Sequence, residues 1–288
     1  NEIKNDFNKR IFENSRSDLI TKLSKHPSRY VGLFRPTKPY TKMVQNITQS
    51  HEIRFGDGFE ILIRKLFEKF NFKTLDLNRC LENGNNISFD QLFKKDGEII
   101  FIEQKLRDDH DSTKKRGQLK NFEDKIDYLI THENFKSLKC YMYFIDPSLN
   151  KNRNYYLSEI KKLKEFYEVE INLVYGSELF ELEQMNFVWD EEIISFLLKW
   201  RKNLPDLPEL NFDLDPEFTF NEIKNLSTTI YRVLFDNPEI INTIFPIIFP
   251  EGKTLKLLKS FFHKRSLTND REGNKYKKLY LKLNELKY

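Results

Sequence analysis

Cysteine is scarce: Cys80 and Cys140 are the only two in 288 residues, and they form neither a Cys-x-x-Cys pair nor a metal-finger spacing. A disulfide framework is therefore not expected, and a reduced intracellular protein is. Long apolar runs are also missing. The most apolar stretch, Ile240 to Pro250, is too short and too broken by proline to span a membrane. The first residues, Asn1 to Asp6, hold no apolar signal core. A cytoplasmic protein with no membrane partner is the expectation. There is no internal repeat and no low-complexity tract. The chain has no Gly-rich phosphate loop ending in Lys-Ser/Thr, no Gly-x-Ser-x-Gly elbow and no His-Glu-x-x-His. NTP hydrolysis, serine hydrolysis and zinc proteolysis thus lack support.

What is present is a globular composition, 39% hydrophobic, with Phe contributing 26 residues. This length holds one large domain or two smaller ones. Charged residues reach 32%, yet the net charge is only +4, so their distribution says more than their sum. Residues 1–50 carry 10 Lys/Arg against 4 Asp/Glu, and residues 251–288 carry 11 against 4. Basic ends around a near-neutral middle suit a protein that grips a polyanion. The opposite sign gathers in one place: Asp206, Glu209, Asp213, Asp215 and Glu217 have no basic residue among them.

Hydrophobic periodicity sets out the elements. Residues 1–50 read as a short helical start and a loop-rich, basic segment holding Pro27, Pro36 and Pro39. From His51 a helical face appears in Phe55, Phe59, Leu62, Ile63, Leu66, Phe67 and Phe70. A strand is predicted at Phe72–Leu77, then a polar loop, Glu82-Asn83-Gly84-Asn85-Asn86. Between Ile87 and Leu106, two strand-like runs flank Lys95-Asp96-Gly97-Glu98, a strong hairpin signal. The run Ile99-Ile100-Phe101-Ile102 is apolar on both faces, as a covered central strand requires. Next come a helix marked by Leu119, Phe122, Ile126, Leu129 and Ile130, and strands near Lys139–Ile145 and Val169–Tyr175. Further helices fall near Tyr155–Phe166 and Asp190–Trp200. Helices and strands in alternation define an α/β core at 51–202. An acidic, Pro-containing linker at 203–215 and a smaller helical, basic unit at 216–288 complete the expected organisation.

A symmetric turn at Asp96-Gly97 makes the numbers of cross-strand partners sum to 193, setting Asp90 opposite Glu103 and Ser88 opposite Lys105. Paired carboxylates about 5 Å apart repel. A divalent cation is the evident compensation, since Mg²⁺ takes carboxylate oxygens together with water and substrate phosphate. Lys105 stands two residues beyond Glu103, on the same face. Its ammonium can steady the charge of a phosphate in flight or help deprotonate an attacking water.

The segment from Phe89-Asp90 to Ile102-Glu103-Gln104-Lys105 resembles the PD-(D/E)XK nuclease superfamily, and within it type II restriction endonucleases most. Phe89 stands where that motif has Pro. The resemblance extends over roughly residues 51 to 146, whose helix, hairpin, helix and strand are similar to the family core. It implies a restriction-endonuclease-like mixed sheet flanked by helices. It also implies Mg²⁺ on Asp90 and Glu103 and a water-assisting Lys105. Many members place a further Glu on the helix before the hairpin; Glu60 is the first candidate for that metal ligand and Glu52 the second. Sequence-specific hydrolysis of double-stranded DNA follows from the resemblance, as do a homodimer and a cognate DNA methyltransferase in the same system.

DNA contacts are expected in two places. In the loop Arg107 to Gln118, Ser112 or Thr113 can cap the following helix, placing Lys114, Lys115 and Arg116 in its first turn. Cations there oppose the helix dipole, which an anionic ligand would explain. Arg107 and Gln118 join this set, Gln118 through a faint likeness to a Gln-x-x-x-Tyr motif of related nucleases, with Phe122 in place of Tyr. His110 fits a solvated loop histidine better than a metal ligand. In the C-terminal unit Lys253, Lys256 and Lys259 lie on an amphipathic helix. They lead into His263, Lys264, Arg265 and the loop Thr268-Asn269-Asp270-Arg271. Lys264, Arg265 and Arg271 are the candidates there, Arg favouring guanine and Asn adenine; a solvated basic face is the plainer account. Two rival functions stay open: a repair or junction-resolving nuclease of the same core, and a DNA-binding module whose acidic cluster is structural.

Overall fold

Pro39 begins the longest helix, at a position where its missing N–H breaks no helical hydrogen bond. The computed structural model describes residues 2–80, 84, 86–268 and 270–286. In chain order the elements are α1 (Glu2–Phe12), α2 (Ser15–Lys25), α3 (Ser28–Val31), α4 (Pro39–Lys69), β1 (Lys73–Thr74), β2 (Asn78–Cys80), β3 (Asn86–Ser88), β4 (Gln91–Lys95) and β5 (Glu98–Lys105). They continue with α5 (Ser112–His132), β6 (Ser137–Phe144), α6 (Arg153–Tyr167), β7 (Glu170–Tyr175) and α7 (Glu178–Leu182). A π-helical segment, Val188–Ile194, runs into α8 (Ser195–Arg201). After a 3₁₀ turn at Phe212–Leu214 come α9 (Pro216–Ile223), α10 (Thr228–Phe235), α11 (Pro238–Thr243), α12 (Phe245–Ile248), α13 (Lys253–Arg265) and α14 (Arg271–Glu285).

The chain forms two units that are not contiguous in sequence. One comprises residues 1–7 and 55–204, the other residues 8–54 and 205–288. The first fifty residues are far more helical than their prolines suggested. Pro27 precedes α3 and Pro39 heads α4, both places where proline is tolerated.

In the first unit a five-stranded sheet runs in the order β1-β4-β5-β6-β7. The β1/β4 and β4/β5 pairs are antiparallel, whereas β5/β6 and β6/β7 are parallel. This mixed sheet flanked by helices is the restriction-endonuclease-like α/β architecture expected from the sequence. The Asp96-Gly97 turn has both residues at positive φ, 52° and 89°, as a two-residue hairpin of matching twist requires. Its ladder pairs Lys95 with Glu98 and ends at Gln91 with Ile102, so the partner sum of 193 holds throughout. Ser88 departs from expectation: it pairs with Asn78 in a separate two-stranded sheet rather than facing Lys105. The chain leaves the main sheet at Phe89-Asp90, and the strand expected at Phe72–Leu77 is split into β1 and β2. Of the polar loop Glu82 to Asn86, residues 82, 83 and 85 lie outside the described residues.

Alternation along β5 sends Ile99 and Phe101 into a core with Phe122, Ile126 and Leu129 of α5 and Tyr156 and Ile160 of α6. On the other side Phe93 stacks on Phe67 of α4, with ring centroids 4.6 Å apart.

The second unit is helical around Leu19, Leu23, Met43, Phe212, Tyr231, Leu258 and Phe262. The acidic stretch is partly built into it. Buried Asp213 accepts the backbone N–H groups of Glu251 (3.0 Å) and Thr254 (2.8 Å) at the start of α13. Asp215 caps α9 by accepting from Phe218 N at 3.1 Å. Carboxylates at helix starts satisfy amides that have no helical partner and favour the dipole.

Candidate active site

Asp90 stands one residue beyond the end of the β4/β5 ladder, where continuation of the register would put it opposite Glu103. Its side chain takes over from the missing strand: Oδ2 accepts the backbone N–H of Gln104 at 2.9 Å. From α4, Arg64 Nη2 donates to the Asp90 carbonyl at 3.2 Å. The sharp departure of the chain at Asp90 therefore leaves the Gln104 amide met and aims a carboxylate at the end of β5.

Glu103 is fully buried on the face of β5 that packs on α5. Lys105 Nζ lies 2.8 Å from Asp90 Oδ2 and 2.8 Å from Glu103 Oε1. Lys125 of α5 donates to Glu103 Oε2 at 2.5 Å and stands 3.9 Å from Asp90 Oδ1. Asn121, one turn earlier on α5, donates to Glu103 Oε1 at 3.1 Å. Two carboxylates and two ammonium groups thus form a formally neutral cluster. It is closed at its base, where Glu103 is 1% exposed, and open at its mouth, where Lys105 is 26% exposed. Burial alone would lower the Lys105 pKa, but Glu103 and Asp90 together outweigh it and hold the ammonium well above its usual range.

Asp90, Glu103 and Lys105 are brought together; Lys125 and Asn121 escaped the sequence reading. A signal existed, because Lys125 falls on the same helical face as Phe122 and Leu129, where an ammonium has no reason to be unless something buried pairs with it. Glu60 lies on α4 in the same unit. Its carbonyl accepts from Gln91 Nε2 at 2.7 Å. Its carboxyl is pushed up to about 7, first by burial and then by Asp90 and Asp57, against the pull of Lys105 and Arg64. Glu52 is exposed and falls in the other unit.

The donor set suits a hard divalent cation, with two carboxylates offering oxygen and an open side for water and phosphate. It is a two-carboxylate set: among the described residues no three His, Cys, Asp or Glu side chains group as a metal cage. Glu60 does not complete one, and neither does His110, which stands 3.7 Å from Asp109.

The remaining sequence-predicted residues fall into two kinds. Asp111, and not Ser112 or Thr113, caps α5, accepting from Thr113 N (3.0 Å) and Lys114 N (2.9 Å). Asp111 is the extended residue before the helix (φ −70°, ψ 171°), whereas Ser112 and Thr113 already lie within it, so only Asp111 is placed to cap. Lys114 and Arg116 project from the first turn and are exposed. Lys115 turns inward, donating to Asn152 Oδ1 at 3.2 Å and lying over the Tyr155 ring. Gln118 accepts from Tyr156 OH at 2.8 Å, and Arg107 Nε lies 3.7 Å from Asp109. Beneath them Asp108 is buried, accepting from Asn152 N (2.9 Å), Asn152 Nδ2 (2.8 Å) and Tyr175 OH (2.9 Å), which fastens this loop to the start of α6. In the helical unit Lys264 and Arg265 end α13 and Arg271 starts α14, all exposed, with Arg265 over the Tyr276 ring. Asn269 lies outside the described residues.

A hairpin-borne Asp and Glu-x-Lys thus stand together on a mixed sheet flanked by helices, consistent with the restriction-endonuclease-like fold. Residues 73–200 match the family model described as Type II restriction endonuclease, HinfI. That match supports a type II restriction endonuclease of the PD-(D/E)XK superfamily: a site-specific deoxyribonuclease whose substrate is DNA. Divalent metal is general among such enzymes. No curated protein and no solved structure gives a significant match. Among the described residues no helix is long and apolar enough to cross a membrane.

Proposed function

We propose that the protein is a Mg²⁺-dependent endonuclease that hydrolyses phosphodiester bonds at a specific sequence in double-stranded DNA. The observation that carries this reading is the neutral cluster of Asp90, Glu103, Lys105 and Lys125 at the open end of β5. Asp90 and Glu103 would hold the ion, which on binding supplies Lewis-acid stabilisation of phosphate and a more acidic water. Lys105, 2.8 Å from both carboxylates, orients or activates the attacking water and steadies the negative charge that builds on the phosphoryl oxygens. Lys125 and Asn121 fix the rotamer of Glu103 from behind, so the carboxylate is positioned before substrate arrives.

Lys114 and Arg116 would contact phosphates from the exposed side of the first turn of α5, whose amides Asp111 already caps, and Arg107 would do so from the loop before it. Lys264, Arg265 and Arg271 would carry contacts in the helical unit, which we assign to DNA recognition. Cutting both strands at a palindromic target calls for a homodimer. A cognate methyltransferase would protect the host's own sites.

The test is direct. Purified protein should convert plasmid DNA to discrete fragments with Mg²⁺ and stop when a chelator is added. A Glu103→Ala protein that cuts at the parent rate would falsify the assignment.

A further inference from the structure

The loop joining α3 to α4 carries the two most exposed large apolar side chains of the described residues, Leu33 at 89% and Phe34 at 94%. The loop is built and held. Tyr30 of α3 is buried in the helical core, and both Gly32 N (3.2 Å) and Arg35 Nε (3.3 Å) donate to the carbonyl of Ser28. A Cβ on Gly32 would lie 2.4 Å from that same oxygen, so only glycine lets the chain fold back so tightly. Pro36 and Pro39 restrict the far side. Single exposed apolar residues are ordinary. Two adjacent ones at the tip of a pinned bend need a partner.

Charge says which partner. From residue 19 to residue 51 the chain has six cations, Lys22, Lys25, Arg29, Arg35, Lys38 and Lys42, and no Asp or Glu at all. Arg35 and Lys38 flank the apolar pair within the loop itself. A second copy whose own segment met this one at a two-fold axis would set cation against cation, which repulsion opposes. A polyanion is favoured by it. Duplex DNA offers both parts of the match: phosphates for the cations, and base steps between which apolar side chains insert as wedges.

We propose that Leu33 and Phe34 form such a wedge, inserted at a base step of bound DNA while Arg35 and Lys38 hold the flanking phosphates. This rests on the endonuclease reading and deepens it, adding shape and deformability of the target to what the protein recognises.

The experiment uses the full chain carrying Asp90→Asn without divalent ion, so that DNA stays intact and the buried Glu103–Lys125 pair is kept, and a short duplex spanning a cleavage site mapped from the wild-type protein's cut ends. Affinity is measured over a range of salt. Leu33→Ser/Phe34→Ser should leave the melting midpoint in place, weaken binding on the order of 10-fold or more, and keep the slope of log affinity against log salt. Arg35→Gln/Lys38→Gln should instead flatten that slope by about 1.8, two phosphates' worth. A Phe34→Trp side chain should lose fluorescence on binding as it stacks. Unchanged affinity in the Leu33/Phe34 variant overturns the wedge. So does a change from dimer to monomer at unchanged affinity, which would make the loop a contact between copies. If the parent does not cut DNA, and its Asp90→Asn form does not bind it, the endonuclease reading fails first and takes the wedge with it.

Discussion

Lys125 and Glu103 are paired in the interior, Nζ to Oε2 at 2.5 Å, one side chain 5% exposed and the other 1%. Such a pair is costly to break from one side, because the survivor is left charged and dry. Lys125→Met removes one of two cations on Glu103, so the loss should be about 2–4 kcal/mol, softened by Lys105. The same change takes a positive charge away from the carboxylates, so divalent-ion binding without DNA should tighten. Calorimetric titration and melting together check it; unchanged ion affinity would leave Lys125 a merely structural residue.

Asp90→Asn separates scaffold from chemistry. An asparagine keeps an oxygen to accept Gln104 N–H, so the melting temperature should move little, whereas cleavage should fall at least about 100-fold with the loss of a ligand charge. Asp90→Ala should lose both. Equal melting temperatures for the two variants would contradict the strand-substituting role of this side chain.

Glu60 predicts a pH dependence of stability. Its carboxyl is raised from 4.5 to about 7, by burial first and Asp90 and Asp57 next. A group whose folded pKa is raised stabilises the fold fully below the unfolded value and loses that contribution as pH climbs through the folded one. Partial exposure discounts the effect to about 1–2 kcal/mol. Metal-free protein should therefore melt several degrees lower at about pH 8 than at about pH 5, and Glu60→Gln should flatten the curve. A slope unaffected by that substitution counts against the shift.

Lys114 and Arg116 make an electrostatic prediction. If each meets one phosphate, Lys114→Gln and Arg116→Gln should each reduce the salt slope by about 0.9 and weaken binding alike on cognate and unrelated duplexes. Gln118→Ala should instead cost about 1 kcal/mol of stability, by orphaning Tyr156 OH, with little change in DNA affinity.

Local chemistry made much of this legible. Asp-Gly between apolar runs dictates a turn with positive φ, and a turn of known length dictates register, so the approach of Asp90 to Glu103 could be read from residue numbers. Runs apolar on both faces marked β5 as central, and helical periodicity with the cap signal located α5 and α6 to within a few residues of their ends. Prolines misled where they sit at helix starts, since composition does not distinguish a breaker from a first residue. Asp111 was missed as the α5 cap for a similar reason, as several neighbours could serve and only backbone direction chooses.

What the sequence alone determined was the hairpin, the sheet's alternation and the residue types of the site. Those depend on neighbours a few bonds away. Only the tertiary structure decided that Lys125 and Asn121 close over Glu103, that Gln118 and Lys115 turn to Tyr156 and Asn152, and that residues 8–54 fold with 205–288. Each joins groups distant along the chain, and spacing carries no record of which helix face will meet which strand. That is settled by burying apolar area as a whole and leaving no buried charge without a partner.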